Sequence, residues 1–308
     1  MFPNRRSRLP WAAILGLIVG VAFAATATAQ EKKPKPTIEE LTLTTGDGLD
    51  LAVLYYPSKR GKEAVPVILL HGVGGSGADY RGLAEHLQAA GHAVLVPDLR
   101  GHVGSTAFQD VKKKELDYKN MPTVMYHYMY AKGMDVEVCK SHLIKENNKG
   151  QCNIEKLCVV GAGLGATVAM NWSLVDWSYT PLIGGIKRGQ DVQALVLLSP
   201  SWTDKTVSVN TPIRNPLILN KLSLYILVGK RGREMGDATK IHNRIKAARD
   251  GTGKEKDLYF QEVDTNRQGV ELLVPENFKV AERIEQFIDT IAKKNFPWKE
   301  RKDPFSTD

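Results

Sequence analysis

Short, uninterrupted apolar runs recur through the chain, and stretches long enough to form helices separate them. The five clearest runs are residues 65–70, 93–96, 157–160, 194–198 and 224–228. Runs of this length are typical of strands that are buried on both faces of a mostly parallel sheet. Ahead of them, residues 40–45 and 49–56 alternate between apolar and polar positions around Gly46-Asp47-Gly48, which predicts an antiparallel hairpin.

Apolar residues at helical spacing occupy the stretches between the predicted strands. The three stripes consist of Leu83, Leu87 and Ala90, of Ile241, Ile245 and Ala248, and of Val280, Ile284, Phe287, Ile288 and Ile291. The first stripe stops at Gly91 and the third begins after Pro275, as helix boundaries do. The alternation of strand and helix predicts a doubly wound α/β sheet that is led by the hairpin and has helices on both faces.

Residues 107–131 interrupt this alternation with lysines followed by methionine, tyrosine and histidine. We favour a helix that packs its aromatic side against the sheet. The alternative is a small lid or a partner surface beside a ligand crevice, because Met and Tyr side chains are enriched at adaptable interfaces.

The N-terminal segment has the layout of a secretory signal peptide. Three arginines within residues 5–8 precede an apolar run over 11–25, and Ala-Thr-Ala at 27–29 supplies a cleavage site. We therefore expect export to the periplasm or the cell exterior with removal of residues 1–29, and an uncleaved membrane anchor is the alternative. The organisation that follows is a polar linker over 30–37, an α/β domain over 38–296 and a polar C-terminal tail over 297–308.

The charge balance narrows the classes of partner. Loss of residues 1–29 removes three arginines and no acidic residue, so the net charge falls from +8 to +5. The remaining excess is scattered, and we interpret the lysines at 112–114 and the basic positions at 299–302 as solvated faces. We expect no nucleic-acid partner, no membrane partner after cleavage and no cofactor. The sequence has no metal-ligand spacing such as H-E-x-x-H, and it identifies no protein partner.

The chain has three cysteines. Cys158 lies inside an apolar run and is predicted to be a buried core thiol. Cys139 and Cys152 flank the polar stretch 145–149, and we hypothesise that they form a disulfide in an oxidising compartment.

Three motifs each follow a predicted strand. His71-Gly72-Val73-Gly74-Gly75-Ser76 comes after the first buried strand, and its glycines let backbone N–H groups approach a ligand oxygen. Residues 98–105 (DLRGHVGS) follow the next strand. Residues 156–166 (KLCVVGAGLGA) predict a buried strand, a sharp turn at Gly163 and then a helix. This third motif has the layout of a nucleophile elbow, although its central residue has no side chain.

In this order and at these strand ends, the motifs resemble those of the α/β-hydrolase superfamily, in its dienelactone-hydrolase-like and lysophospholipase-like branch. The resemblance covers essentially the whole mature chain. It implies an eight-stranded, mostly parallel sheet with the site at the carboxyl ends of the strands. In active members a Ser, an Asp or Glu, and a His follow one another along the chain as the catalytic triad.

Each triad position of this chain carries a residue without the required chemistry. The nucleophile position falls on Gly163, the acid position on Gly232 and the histidine position on Gln268. Only His242 follows the elbow, and we interpret it as an exposed residue of a helix. Asp237 is a replacement acid in principle, but its place at the start of that helix suits an N-terminal cap better.

A glycine at position 163 still suits the elbow, because a nucleophile there has a strained backbone that glycine adopts at lower cost. The helix N-terminus that follows is a natural site for an anion or a carbonyl oxygen. The candidate binding residues are His71, Gly72, Gly74, Gly75, Leu164 and Gly165. We expect an exported, non-catalytic protein whose crevice binds a small acyl or anionic ligand, and a crevice filled by side chains is the alternative.

Two other functions stay open at this point. An active ester or peptide hydrolase needs an unrecognised nucleophile. The serines near strand ends are Ser76, Ser105, Ser199 and Ser201, whose ordinary roles are turn and helix-cap hydroxyls. Dinucleotide binding is suggested by residues 161–166, which match G-x-G-x-x-A. The acidic residue that such a site requires is missing, because Asp176 lies within the helical pattern 168–177.

Overall fold

A single twisted sheet organises the chain. The computed structural model describes residues 36–181, 187–274 and 278–301. Its ten strands are β1 (Glu39–Thr44), β2 (Asp50–Tyr56), β3 (Pro66–Leu70), β4 (Ala93–Pro97), β5 (Cys158–Ala162), β6 (Ala194–Leu198), β7 (Thr203–Asp204), β8 (Val207–Ser208), β9 (Ser223–Gly229) and β10 (Leu258–Val263). Eight of these strands form the main sheet in the order β1-β2-β4-β3-β5-β6-β9-β10, while β7 and β8 form a separate small hairpin.

The sheet is antiparallel at its start and parallel thereafter. β1 pairs with β2, and β2 with β4, in antiparallel register, and every later pair in the sheet is parallel. All residues of β3, β4, β5 and β6 are buried, as their uninterrupted apolar sequences predict. The predicted fold class is therefore confirmed.

Alternate strand residues face two separate apolar layers. Ile68 and Val159 belong to one layer, together with residues of the helices α3 (Asp135–Asn148), α4 (Leu164–Ser178), α5 (Pro216–Lys221) and α6 (Met235–Arg249). Val67 and Val160 belong to the other layer, with residues of α1 (Arg81–Ala89) and α7 (Val280–Ala292). Helices thus cover both faces, and the three apolar stripes read from the sequence lie on α1, α6 and α7. Two alanines depart from them: Ala90 is the half-buried residue just after α1, and Ala248 is exposed while its neighbour Arg249 is buried.

The segment 107–131 is only partly helical. Its one helix, α2 (Thr123–Tyr128), has six residues, and residues 107–122 form turns and extended chain. Met121, Tyr126 and Met129 are buried in the same layer as α4. The predicted packing of aromatic and methionine side chains is therefore present, but a helix over the whole segment is wrong. The segment lines none of the cavity described below.

The hypothesis of a disulfide between Cys139 and Cys152 is wrong. Both thiols are free and buried, and both belong to the apolar layer beneath α3. Burial raises the pKa of each thiol above its ordinary value, so neither is activated for exchange. Cys158 is a buried core thiol, as predicted.

A network of buried charges ties α3 and α4 to the C-terminal segment. Lys140 pairs with Asp176 at 2.6 Å and with Asp191 at 3.2 Å. Asp191 also pairs with Arg301, which is 5% exposed and forms a second ion pair with Glu155 at 2.7 Å. The expectation of a solvated face around residue 301 is therefore wrong for Arg301, whereas the lysines at 112–114 are exposed as expected.

Several predictions concern residues that the structure does not describe. The signal peptide over 1–29, most of the linker over 30–37 and residues 302–308 of the predicted tail lie outside the described ranges. Within those ranges, no helix has the length and apolar character that a membrane span requires.

Candidate functional site

The turn between β5 and α4 has the backbone of a nucleophile elbow. Gly163 lies between the last residue of the strand and the first of the helix, with φ 51° and ψ −117°. This positive φ is a region that glycine adopts at little cost and other residues adopt under strain. The Gly163 N–H donates to the Leu198 carbonyl oxygen at 3.1 Å, which fixes the turn to the end of β6.

The three glycines of this motif serve different purposes. A Cβ at Gly161 would collide with the backbone of Gly165, and a Cβ at Gly165 would collide with the Leu70 carbonyl. Both glycines are therefore required by the close approach of α4 to the sheet. At Gly163, by contrast, the nearest atoms to a Cβ would be Asp204 Oδ2 at 3.7 Å and Gly72 Cα at 3.9 Å. Position 163 is thus the one position of the three with room for a side chain.

The two other predicted triad positions are neighbours. Gly232 follows β9 and Gln268 follows β10, and these strands are adjacent in the sheet. A Cβ at Gly232 would lie 2.6 Å from Gln268 Nε2. The Gln268 Oε1 accepts a hydrogen bond from the Glu234 N–H at 3.3 Å. A side-chain amide therefore lies where the acid and histidine positions meet, and it holds the start of α6.

A cavity of about 800 Å³ opens beside the elbow. Gly72, Gly75, Gly163 and Gln268 line it, together with Ser199, Ser201 and Asp204 on the side of β6 and β7. Its lining also includes Lys205, Arg231, Arg233, Glu234 and Glu271. The chain has seven histidines, all within the described ranges, and none of them lines this cavity.

The six predicted binding residues divide between the cavity and the structure behind it. Gly72 and Gly75 line the cavity. His71, Gly74, Leu164 and Gly165 do not.

His71 has a structural hydrogen-bonding role in the first loop. Its Nε2 accepts the Leu99 N–H at 2.9 Å, which leaves Nδ1 to donate to the Gly72 carbonyl oxygen at 2.7 Å. The ring is fully buried, and burial lowers its pKa to about 4. His71 is thus neutral at physiological pH and joins the loop after β3 to the loop after β4.

His102 joins the same two loops a second time. Its Nε2 accepts the Gly74 N–H at 3.1 Å, and its ring stacks on Tyr118 with centroids 4.5 Å apart. Asp98 adds one more tie between them, since its carboxylate accepts the Gly77 N–H at 2.6 Å, and it also accepts the Gly104 N–H of its own loop at 3.1 Å. The first two motifs are therefore tied to each other by side chains, and Gly72, Val73 and Gly75 of the first motif line the cavity.

Of the serines near strand ends, Ser76 has the predicted cap role, because it forms a capping box with Asp79. Ser105 instead makes a long-range contact, since its Oγ accepts the N–H of Ala52 on β2 at 2.9 Å. Ser199 differs because it has φ 49°, is buried and borders the cavity. Its Oγ accepts the Gly269 N–H at 3.0 Å.

His242 and Asp237, the two candidate triad residues that follow the elbow in the sequence, do not line the cavity. His242 is half-buried on α6 and stacks on Phe260, so it is a packed rather than an exposed residue of that helix. Asp237 does not cap α6, which begins at Met235. Its carboxylate instead accepts the Trp202 N–H at 2.8 Å and so holds the β7–β8 hairpin. The predicted cap role of Asp237 is therefore wrong.

The sequence did not single out Asp204. It lies on β7, which has two residues and hence no periodic pattern, and it approaches Gly163 only through the folding of the segment after β6. Burial raises the pKa of its carboxyl above the ordinary value, and Glu234 adds to this increase. Among the described residues, no group of three or more His, Cys, Asp or Glu side chains has an arrangement that could hold a metal ion.

The family assignment follows from a model of the alpha/beta hydrolase fold that matches residues 65–227, more than half of the 308 residues. The chain belongs to that family. Its structure is similar to an esterase of Pyrococcus furiosus, with 16% identity, a TM-score of 0.57 and coverage of 83% of this chain and 93% of that one. It is likewise similar to an esterase of Pyrobaculum calidifontis, with 12% identity, a TM-score of 0.57 and coverage of 85% and 88%.

A structure of fungal esterases from Rhizomucor miehei gives a third match, with 14% identity, a TM-score of 0.56 and coverage of 85% of each chain. At these identities the three structures establish the fold that this chain shares with them. Comparison with curated proteins gives no match. The predicted superfamily is confirmed, and the dinucleotide-binding alternative gains no support from the family model.

Proposed function

We propose that this protein binds a small acyl compound in the cavity beside Gly163 and does not catalyse acyl transfer by a serine mechanism. The observation that carries the proposal is that the elbow has room for a nucleophilic side chain at position 163 but has a glycine there. Serine-type catalysis needs a hydroxyl and a base within hydrogen-bond reach. Gln268 stands at the histidine position, and none of the seven histidines lines the cavity.

The N-terminal pattern supports a place for this function outside the cytoplasm. A basic stretch, an apolar run and Ala-Thr-Ala at 27–29 together favour export with cleavage. Amino-terminal sequencing of the protein recovered from its own cells tests this part of the proposal. Cleavage after residue 29 supports it, and an intact N-terminus contradicts it.

The catalytic part of the proposal is tested with a fluorophosphonate probe and with p-nitrophenyl acetate. The purified protein is expected to remain unlabelled and to hydrolyse the ester no faster than a heat-denatured sample. Binding is tested separately by the change in melting temperature with small amides and esters. Stoichiometric labelling would overturn the non-catalytic function, whereas the absence of any thermal shift would overturn the binding function.

An ester hydrolase that uses another nucleophile is the second candidate. The fold is shared with three esterases, and Ser199 combines a positive φ with a place in the cavity wall. Strained backbone at non-glycine residues is concentrated at functional sites. If the probe labels the protein, peptide mass spectrometry will identify the residue. Labelling that is lost in Ser199→Ala would establish this candidate in place of the first.

A further inference from the structure

Asp204 lies closest to the position that a side chain at Gly163 would occupy. Its Oδ2 lies 3.7 Å from the position of a Cβ at Gly163, and it borders the cavity. Among the described residues other than the chain neighbours Ala162 and Leu164, no other side chain has an atom within 4 Å of that position. A ligand group placed at the elbow therefore meets the Asp204 carboxylate.

The hairpin that carries Asp204 is held from two helices. Asp237 of α6 accepts the Trp202 N–H at 2.8 Å, and the Asn171 amide of α4 donates to the Ser208 carbonyl oxygen at 3.0 Å. Val207, which pairs with Asp204 across the hairpin, is fully buried. The backbone that carries the carboxylate is thus fixed by its surroundings, and polar groups held in this way determine orientation and specificity in ligand cavities.

The charges of the cavity are separated by depth. Arg233 and Arg231 have side chains that are 90% and 62% exposed; Arg233 pairs with Glu234 at 3.2 Å and Arg231 with Asp264 at 2.6 Å. Lys205, the third cation of the lining, is exposed as well. Glu234 has a side chain that is only 18% exposed, and one of its carboxylate oxygens is buried without a hydrogen-bond partner among the described residues. Asp204 and Glu234 are therefore less exposed than Lys205, Arg231 and Arg233, whose charges water screens.

We propose that Asp204 makes the cavity selective for small molecules that bring an ammonium group to the elbow, and that it disfavours carboxylates of the same size. This inference rests on the proposed binding function and replaces the anionic ligand expected from the helix N-terminus. A cation beside Asp204 gains a charge-assisted hydrogen bond, which is stronger than a bond between neutral groups. A carboxylate at the same place meets the Asp204 carboxylate, and the cations of the lining are exposed to solvent.

Three probes of equal length separate the charge of the ligand from its shape: 3-phenylpropylamine, 3-phenylpropanol and 3-phenylpropionate. We expect the amine to bind to the intact protein with the lowest Kd in calorimetric titration and the carboxylate with the highest. Asp204→Asn removes the charge and keeps the shape of the side chain. It is expected to weaken amine binding about tenfold, in line with a charged hydrogen bond, and to leave alcohol binding unchanged.

Asp250→Asn is the matched control, because it removes one negative charge from an exposed residue at the end of α6. It should leave the order of the three probes unchanged. Equal or tighter binding of 3-phenylpropionate to the unaltered protein would overturn the inference, and so would an unchanged amine Kd in Asp204→Asn. Failure of all three probes to bind would overturn the inference, whereas the binding function is overturned only when small amides and esters also give no change in melting temperature. Fluorophosphonate labelling would overturn only the non-catalytic part.

Discussion

At the scale of single residues, Gly163 keeps the backbone of a nucleophile elbow but has no nucleophilic side chain. Gly161 and Gly165 are fixed by contact between α4 and the sheet, and any side chain there would collide with backbone. Gly163 has the backbone conformation of an elbow and the space for a side chain. The sequence predicts the first feature, because glycines at spacing two after a buried strand indicate the sharp turn, whereas the space is seen only in the structure. It does not predict that Asp204, on the β7–β8 hairpin, lies beside Gly163.

Gly163→Ser should fold and remain inactive. A serine has room at this position, but its positive φ is strained, so we expect a decrease of about 1–3 kcal/mol in the free energy of unfolding. Denaturant titration measures this change. The matched variant Gly165→Ser would force a side chain against the Leu70 carbonyl and should lose much more stability. Rapid hydrolysis of p-nitrophenyl acetate by Gly163→Ser would show that a base is present after all.

His71 should make the stability of the protein depend on pH. Burial lowers its pKa from 6.5 to about 4, so the unfolded chain binds more protons than the folded protein between these values. Stability is therefore complete above pH 6.5 and is lost as the pH falls towards 4. The shift corresponds to about 3 kcal/mol.

His71→Gln keeps an acceptor for the Leu99 N–H but cannot be protonated, so this part of the pH dependence should disappear. Denaturant titrations of both proteins over this pH range measure the difference. His92 has a similarly lowered pKa and should preserve a smaller slope in the variant. An equal slope in both proteins would show that the His71 ring does not titrate in this window.

At the scale of elements, the apolar pattern predicts the strands and helices that bury a large apolar face and misses those that do not. The strands β3 to β6 and the stripe on α7 match their predicted positions closely, because each buries a continuous apolar surface. α3 escaped prediction because its buried face includes charged residues such as Lys140, which pair with other buried charges. The β7–β8 hairpin escaped because strands of two residues have no period.

The hairpin should loosen when its tie to α6 is removed. Asp237→Ala leaves the Trp202 N–H without its acceptor, which costs about 1–3 kcal/mol when the group stays buried. We expect amide hydrogen exchange over residues 202–209 to accelerate about tenfold or more, while exchange in β5 is unchanged. Asp237→Asn retains an acceptor oxygen and should behave like the unaltered protein. Unchanged exchange in Asp237→Ala would mean that other contacts hold the hairpin.

At the scale of the whole molecule, the sheet places residues that are far apart in sequence next to one another at the carboxyl ends of its strands. Gly163, Gly232 and Gln268 follow β5, β9 and β10, and the carboxyl ends of these parallel strands meet beside one cavity. The order of elements is enough to predict this gathering, because the topology of a doubly wound sheet fixes where each strand ends. The hairpin contacts that place Asp204 opposite the elbow depend on side-chain packing and are not readable from the order of elements.

The central claim is that Gly163, Gly232 and Gln268 occupy the positions of a catalytic triad but lack the side chains that catalysis requires. Restoring those side chains tests the claim most directly. The variant combines Gly163→Ser, Gly232→Asp and Gln268→His, and its labelling rate with a fluorophosphonate probe is compared with that of Gly163→Ser alone. The account predicts that the triple variant is labelled at position 163 while the single variant and the unaltered protein are not. Labelling of the unaltered protein, or a folded triple variant labelled no faster than Gly163→Ser, would contradict it.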